Sequence, residues 1–134
     1  MNPAQKTRVL VVEDNLMNLE MLTEWLEITG YQVLAATSLG TARSTFQKHQ
    51  PAIVLLDIRL GPEDGTEFVA WLRGEFNQTP VIAVTAHALR EEQERILKAG
   101  CNAVVSKPVE LQSLGAEIKR WLAVTANAAL PPPE

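Results

Sequence analysis

The sequence predicts an α/β fold: an open parallel sheet of five strands with helices packed on both faces. Three observations predict it. Short, uninterrupted aliphatic runs recur along the chain: Val9-Leu10-Val11-Val12, Ile53-Val54-Leu55-Leu56, Val81-Ile82-Ala83-Val84 and Ala103-Val104-Val105. Such runs suit strands buried on both faces, the setting of a parallel sheet. Segments with apolar residues at helical spacing alternate with them, which implies right-handed crossovers. Finally, each run ends in polar residues, Glu13-Asp14, Asp57, Thr85 and Ser106-Lys107-Pro108. Sites in open α/β sheets lie outside the carboxyl ends of the strands.

The elements follow in order. After the first strand, Asn15 to Thr29 reads as a helix with Asn18, Leu22, Trp25, Leu26 and Thr29 on one face and Glu20, Glu24 and Glu27 on the other. Gly30 is its stop. Its apolar arc also takes in Met17, Leu19, Met21 and Ile28. One sheet-facing stripe needs only about 100° of arc. The surplus is either further core packing or contact with a partner. Gln32 to Ala36 reads as a short strand. Ser38 caps a helix that runs to His49, and Pro51 prevents its continuation. The Asp57 strand is followed by Gly61-Pro62-Glu63-Asp64-Gly65, a loop signal. Thr66 to Arg73 reads as a helix with Phe68, Val69 and Leu72 inward. A helix from about Ala88 to Ala99 follows the Thr85 strand and ends at Gly100. The last helix carries Leu111, Leu114, Ile118, Trp121 and Leu122. The reading divides the chain into one domain, residues 1–125, and an Ala/Pro-rich tail or linker start, residues 126–134.

The chain has 134 residues and a formal net charge of −4. That size suits a single domain. The charge argues against nucleic-acid binding through this domain, since phosphate contacts need a basic surface. The N-terminus lacks the apolar core of a signal peptide, and no apolar stretch approaches the roughly 20 residues that span a bilayer. The single cysteine, Cys101, allows no internal disulfide; it reads as a small packed hydrophobe. A cytoplasmic protein without membrane contact is expected.

If Glu13, Asp14, Asp57, Thr85 and Lys107 converge, three carboxylates crowd one place. Like charges that close disfavour joint ionisation unless a cation intervenes. Mg²⁺, a hard ion with oxygen ligands, suits them, and Mn²⁺ is an alternative. A carboxylate can also act as a nucleophile and form an aspartyl-phosphate. Metal, ammonium and hydroxyl would then hold the phosphoryl oxygens. Taken singly, each residue has a plainer reading: acids at a helix N-terminus, a helix cap, a strand-end hydroxyl, a solvated lysine. Their occurrence together, each at a strand end, favours a site.

From about Thr7 to Ala123 the chain resembles the response-regulator receiver domains, the CheY-like family of two-component signalling. The resemblance rests on Val9-Leu10-Val11-Val12-Glu13-Asp14-Asn15, Ile53-Val54-Leu55-Leu56-Asp57-Ile58, Gly61 to Gly65, Val81 to Ala86 and Ser106-Lys107-Pro108. It implies a flavodoxin-like, doubly wound sheet of strand order 2-1-3-4-5. It implies that Asp57 accepts a phosphoryl group from the phosphohistidine of a sensor histidine kinase or histidine phosphotransfer protein. Asp14 and the Arg59 backbone carbonyl would bind Mg²⁺ beside Asp57, with Glu13 acting mainly through water. Thr85 would be the switch hydroxyl and Lys107 the phosphate contact. Arg59, Ala86, His87, Val104 and Pro108 would modulate the site. Arg59 and His87 would influence how fast the aspartyl-phosphate hydrolyses, and the bond before Pro108 would be cis. Phosphorylation would then alter binding of a downstream protein target. The implied activity is that of a signalling switch, not of an enzyme.

Two features depart from the family's commonest pattern. Val104 stands where similar domains often carry Tyr or Phe, three residues before the lysine. The loop from Arg59 to Gly65 reverses the more usual Pro-Gly order, so a local backbone difference is expected. Alternative functions are less well matched. A flavodoxin-like electron carrier needs a phosphate-cradling loop where this chain has Glu13-Asp14. An aspartate phosphatase would carry an acid in place of Arg59. Two further readings stay within the family: a receiver domain separated from a hybrid histidine kinase or multidomain regulator, and a pseudo-receiver that never takes phosphate. The intact Asp57, Thr85 and Lys107 argue against the latter.

Overall fold

The computed structural model describes residues 6–75, 77–86 and 89–129. Five strands, β1 (Arg8–Val12), β2 (Gln32–Ala36), β3 (Ile53–Asp57), β4 (Val81–Thr85) and β5 (Ala103–Ser106), form one sheet in the order β2-β1-β3-β4-β5. All neighbours pair in parallel. The helices are α1 (Leu16–Ile28), α2 (Leu39–His49), α3 (Thr66–Gly74), α4 (Arg90–Ala99) and α5 (Leu111–Ala129). This is the predicted flavodoxin-like architecture.

Strand residues alternate between two cores, as a pleated strand buried on both faces must. Val9, Val11, Ile53, Leu55 and Ile82 pack with Leu22 and Leu26 of α1 and Leu114 and Ile118 of α5. Leu10, Val12, Val54, Leu56 and Ala83 pack with Phe46 of α2, Phe68 and Leu72 of α3 and Ile96 of α4. Trp25 and Trp121 lie against the first core. Trp71 meets Phe46 and Phe68 at the second, with ring centroids 6.3 and 5.6 Å away.

The helix ends follow the chemistry of the sequence. The Asn15 side chain accepts the Asn18 N–H and starts α1; Ser38 accepts from Thr41 N–H and starts α2. Helix α2 ends with Gln50 in the left-handed region, and Pro51 follows. Gly100, at φ 118°, ends α4, a conformation open to glycine at no steric cost. Helix α4 is seen from Arg90; Ala88, the expected start, lies outside the described residues. Helix α5 continues through Ala129, into the segment read from composition as a tail. Of the surplus apolar residues of α1, Leu19 packs against the core, whereas Met17, Met21 and Ile28 are exposed.

One contact network joins the ends of α3 and α4 to the sheet. The half-buried Arg73 guanidinium donates to the carbonyls of Gly100, Asn77 and Thr79 and to Asn102 Oδ1, at 2.8 to 3.1 Å. Asn102 Oδ1 also accepts the Val81 N–H at 2.8 Å, at the start of β4. Arg73→Leu removes every one of these donors while keeping apolar bulk. Strongly held carbonyls left without partners are costly, so the substitution is expected to lower stability by about 2–3 kcal/mol. Urea denaturation followed by far-UV circular dichroism measures it. A loss under about 0.5 kcal/mol, the range of ordinary surface substitutions, would show the network to be ornamental.

Candidate functional site

Sheet register brings the candidate residues together. Val12 pairs with Leu56, so Glu13 follows β1 beside Asp57 at the end of β3. Asp57 pairs with Val84, which sets Thr85 one step further on, and Thr85 pairs with Ser106, just before Lys107. The Lys107 N–H donates to the Thr85 carbonyl at 2.8 Å and holds that edge closed. The Lys107–Pro108 bond is cis, as the resemblance implied.

Glu13, Asp57 and Thr85 are 3, 6 and 2% exposed, while Asp14 is exposed. Lys107 Nζ lies 3.2 Å from Asp57 Oδ2 and 3.7 Å from Glu13 Oε1. Asp57 Oδ1 accepts the Arg59 N–H at 3.2 Å. Carboxylate oxygens of Glu13, Asp14 and Asp57 lie within 4.8 Å of one another. Ala86 is exposed at the end of β4; His87 lies outside the described residues. Val104 is half-buried against the core beneath α2 to α4. A cavity of about 260 Å³ opens beside the acids, lined in part by Asn18, Met21, Leu22, Lys107 and Val109.

The loop after β3 differs from an irregular turn. Arg59–Leu60 and Glu63–Asp64 pair antiparallel about Gly61, whose φ is 59°. Glu63 Oε1 accepts the Leu39 N–H at the start of α2, at 3.1 Å. Asp64 Oδ1 accepts the N–H and the hydroxyl of Thr66 at the start of α3, and Asp64 pairs with Arg95 of α4 at 3.0 Å. Gly65 must approach β3 closely: a Cβ there would lie 2.6 Å from the Asp57 carbonyl oxygen.

Burial, first, and the adjacent Asp57 carboxylate push Glu13 up from 4.5 to about 7, against the opposing pull of Asn18 and Lys107. Asn18 Nδ2 donates to Glu13 Oε1 at 2.9 Å. Among the described residues, Glu13 Oε2 is a buried side-chain oxygen without a hydrogen-bond partner. An all-oxygen donor set with surplus negative charge and one orphaned oxygen fits a hard divalent cation. Cys101 is buried and pushed up to about 12 by that burial, which leaves an inert thiol as expected.

Sequence reasoning put Asn18 on the inward face of α1 but gave it no part in the site. The available signal was its place on the first turn of the helix after Glu13. The roles of Glu63 and Asp64 as anchors carried no sequence signal beyond a loop.

A doubly wound sheet with three acids and a lysine gathered at its carboxyl edge defines a signalling receiver module. The chain matches the response regulator receiver domain over residues 9–119, and it belongs to that family. It is 36% identical over 116 residues to the polar-differentiation response regulator DivK of Brucella ovis, covering 85% of this chain and 94% of that protein. The Brucella anthropi protein of the same name is 35% identical with the same coverage. Among solved structures, a CheY-like response regulator receiver domain protein from Methanospirillum hungatei JF-1 superposes with a TM-score of 0.87 at 28% identity, covering 93% of this chain and all, 100%, of the other. The receiver domain of NtrX from Brucella abortus shares the fold, with a TM-score of 0.80 at 22% identity over 86% of this chain and 98% of that one. No helix among the described residues is long and apolar enough to cross a membrane.

The position of Glu13 has a pH signature. Its proton is held more tightly in the folded chain, at about 7, than at the ordinary value of 4.5. The folded state therefore binds more protons between those values. That stability is fully present below 4.5 and is lost as pH rises through about 7. In buffer free of divalent cations, the urea midpoint should fall across this window, and Glu13→Gln should flatten the fall. The same slope in both proteins would contradict the assignment.

Proposed function

We propose that this chain is a phosphoacceptor switch of a two-component or phosphorelay system. The observation that carries the reading is the Lys107 ammonium, 3.2 Å from Asp57 Oδ2 at the edge of an acid cluster. A carboxylate oxygen of Asp57 attacks the phosphorus of a phosphohistidine. The P–O bond forms as the P–N bond breaks, and the imidazole leaves with its electron pair and takes a proton. Lys107 counters charge on the phosphoryl oxygens, and the Thr85 hydroxyl donates to one of them. Asp14, Asp57 and the Arg59 carbonyl would hold Mg²⁺, or Mn²⁺, with Glu13 acting through water; the bound ion supplies positive charge against the incoming phosphoryl group. Arg59 and Ala86, and His87 by its place in the sequence two residues after Thr85, would influence how fast water hydrolyses the acyl phosphate. Phosphorylation then biases two conformations of the chain and so its binding to a downstream protein.

The phosphodonor is a sensor histidine kinase or histidine phosphotransfer protein. Its docking face includes α1, where Leu16 and Met17 are 70 and 81% exposed next to the site. Leu19, packed on the core, serves the fold.

Acetyl phosphate with Mg²⁺ should add one phosphoryl group to the intact chain. Asp57→Asn, which keeps the size and removes the nucleophilic charge, should abolish the mass shift. An undiminished shift would sink the assignment. Met17→Ala should slow transfer from the cognate phosphohistidine protein at least about fivefold, the order expected for a lost apolar anchor, and leave acetyl phosphate labelling unchanged. Equal slowing with both donors would assign Met17 to the fold. Thr85→Ala should uncouple phosphorylation from the response. With Val104 at the aromatic position, no ring swings toward Thr85, so amide shifts on adding a phosphoryl mimic should concentrate around Arg59 and Ala86. Strong shifts across Val109 to Trp121 would defeat that expectation.

A further inference from the structure

We infer that Asn18 is a positioning residue of the metal site: its side-chain amide fixes the direction in which the Glu13 carboxylate turns. The inference rests on the reading of these acids as a Mg²⁺ site. The alternation of β1 directs Glu13 to the side of Val9 and Val11, beneath α1. There Glu13 Oε1 meets two donors, Asn18 Nδ2 at 2.9 Å and Lys107 Nζ at 3.7 Å. Its other oxygen, Oε2, is buried and has no partner among the described residues.

Lys107 is shared, since it lies closer to Asp57 Oδ2, at 3.2 Å. The terminal torsion of a glutamate is broad and two-fold, so a shared ammonium alone does not decide which oxygen faces which way. The amide does decide it. Asn18 commits Oε1 and leaves Oε2 to accept from water or to face a cation. A neutral donor suits the task. An arginine or lysine would cancel charge that a cation needs, and an aspartate would add repulsion. The amide nitrogen must face the carboxylate, because the amide oxygen would meet it acceptor to acceptor. The root of the side chain is also fixed: the Asn18 N–H is held by the Asn15 cap at 3.0 Å. Asn18 thus stitches the first turn of α1 to the end of β1 through the carboxylate that the sheet buries.

A merely structural role predicts lower stability with unaltered Mg²⁺ binding. Calorimetric titration of the intact chain with Mg²⁺ separates the two. Asn18→Ala and Asn18→Leu should each weaken Mg²⁺ affinity about tenfold, the low end for partners that orient a ligand. The leucine variant keeps the bulk, so a loss shared by both is not the effect of a void. In a Glu13→Gln background the same substitutions should cost less than about twofold, because the charge to be oriented is gone. Unchanged affinity in the single variants, or equal losses in both backgrounds, would overturn the inference. Absence of Mg²⁺ binding in the unsubstituted chain would instead bring down the proposed metal site itself.

Discussion

Three carboxylates meet at the end of this sheet with one ammonium among them, and the arrangement of the edge answers to that excess of charge. At separations within 4.8 Å, two unit charges repel by about 3.5 kcal/mol or more in a dielectric typical of protein margins. Lys107 offsets part of this by standing between Asp57 and Glu13. The elevated proton affinity of Glu13 offsets more, since a protonated acid repels nothing. What remains is an edge poised to accept positive charge, which is why an orphaned carboxylate oxygen is tolerated in a buried position where it would otherwise be costly.

The sheet makes that concentration of charge possible. Parallel registers advance along the edge, from Val12 opposite Leu56 to Thr85 opposite Ser106, so that side chains from four strands arrive at one level. The two cores then divide the labour. The core under α1 and α5 lies on the side of Glu13 and of the cavity beside it. The core under α2, α3 and α4 holds Val104 and the aromatic group of Phe46, Phe68 and Trp71. Arg73 binds the second layer to the start of β4 through Asn102.

Much of this was legible in the sequence because the signals were local. Four aliphatic runs ending in Asp14, Asp57, Thr85 and Lys107 announce buried parallel strands and the edge on which their polar residues collect. Ser38 and Gly100 mark helix ends by chemistry that needs no tertiary context. Long-range pairings were not legible. Nothing local tells that Asn18 reaches back to Glu13, that Asp64 meets Arg95 or that Arg73 spans to Asn102. The surplus apolar arc of α1 was equally ambiguous: Leu19 and Met17 are both apolar neighbours on one helix, and only the packing assigns one to the core and leaves the other bare. The extent of α5 escaped composition for the opposite reason, because alanine is as much a helix former as a linker residue.

The paired segment after β3 has a mechanical consequence. It begins at Arg59, whose N–H is bonded to Asp57, and is fastened to α2 through Glu63 and to α4 through Asp64 and Arg95. A segment clamped at both flanks behaves as a crossbar and not as a slack tether. Any displacement imposed on it from Asp57 is divided between two helices on the same side of the sheet. In a chain with valine where a swinging ring often sits, this crossbar is a solid connection from the carboxyl edge to the outer layer, and its stiffness is set by three side chains at the surface.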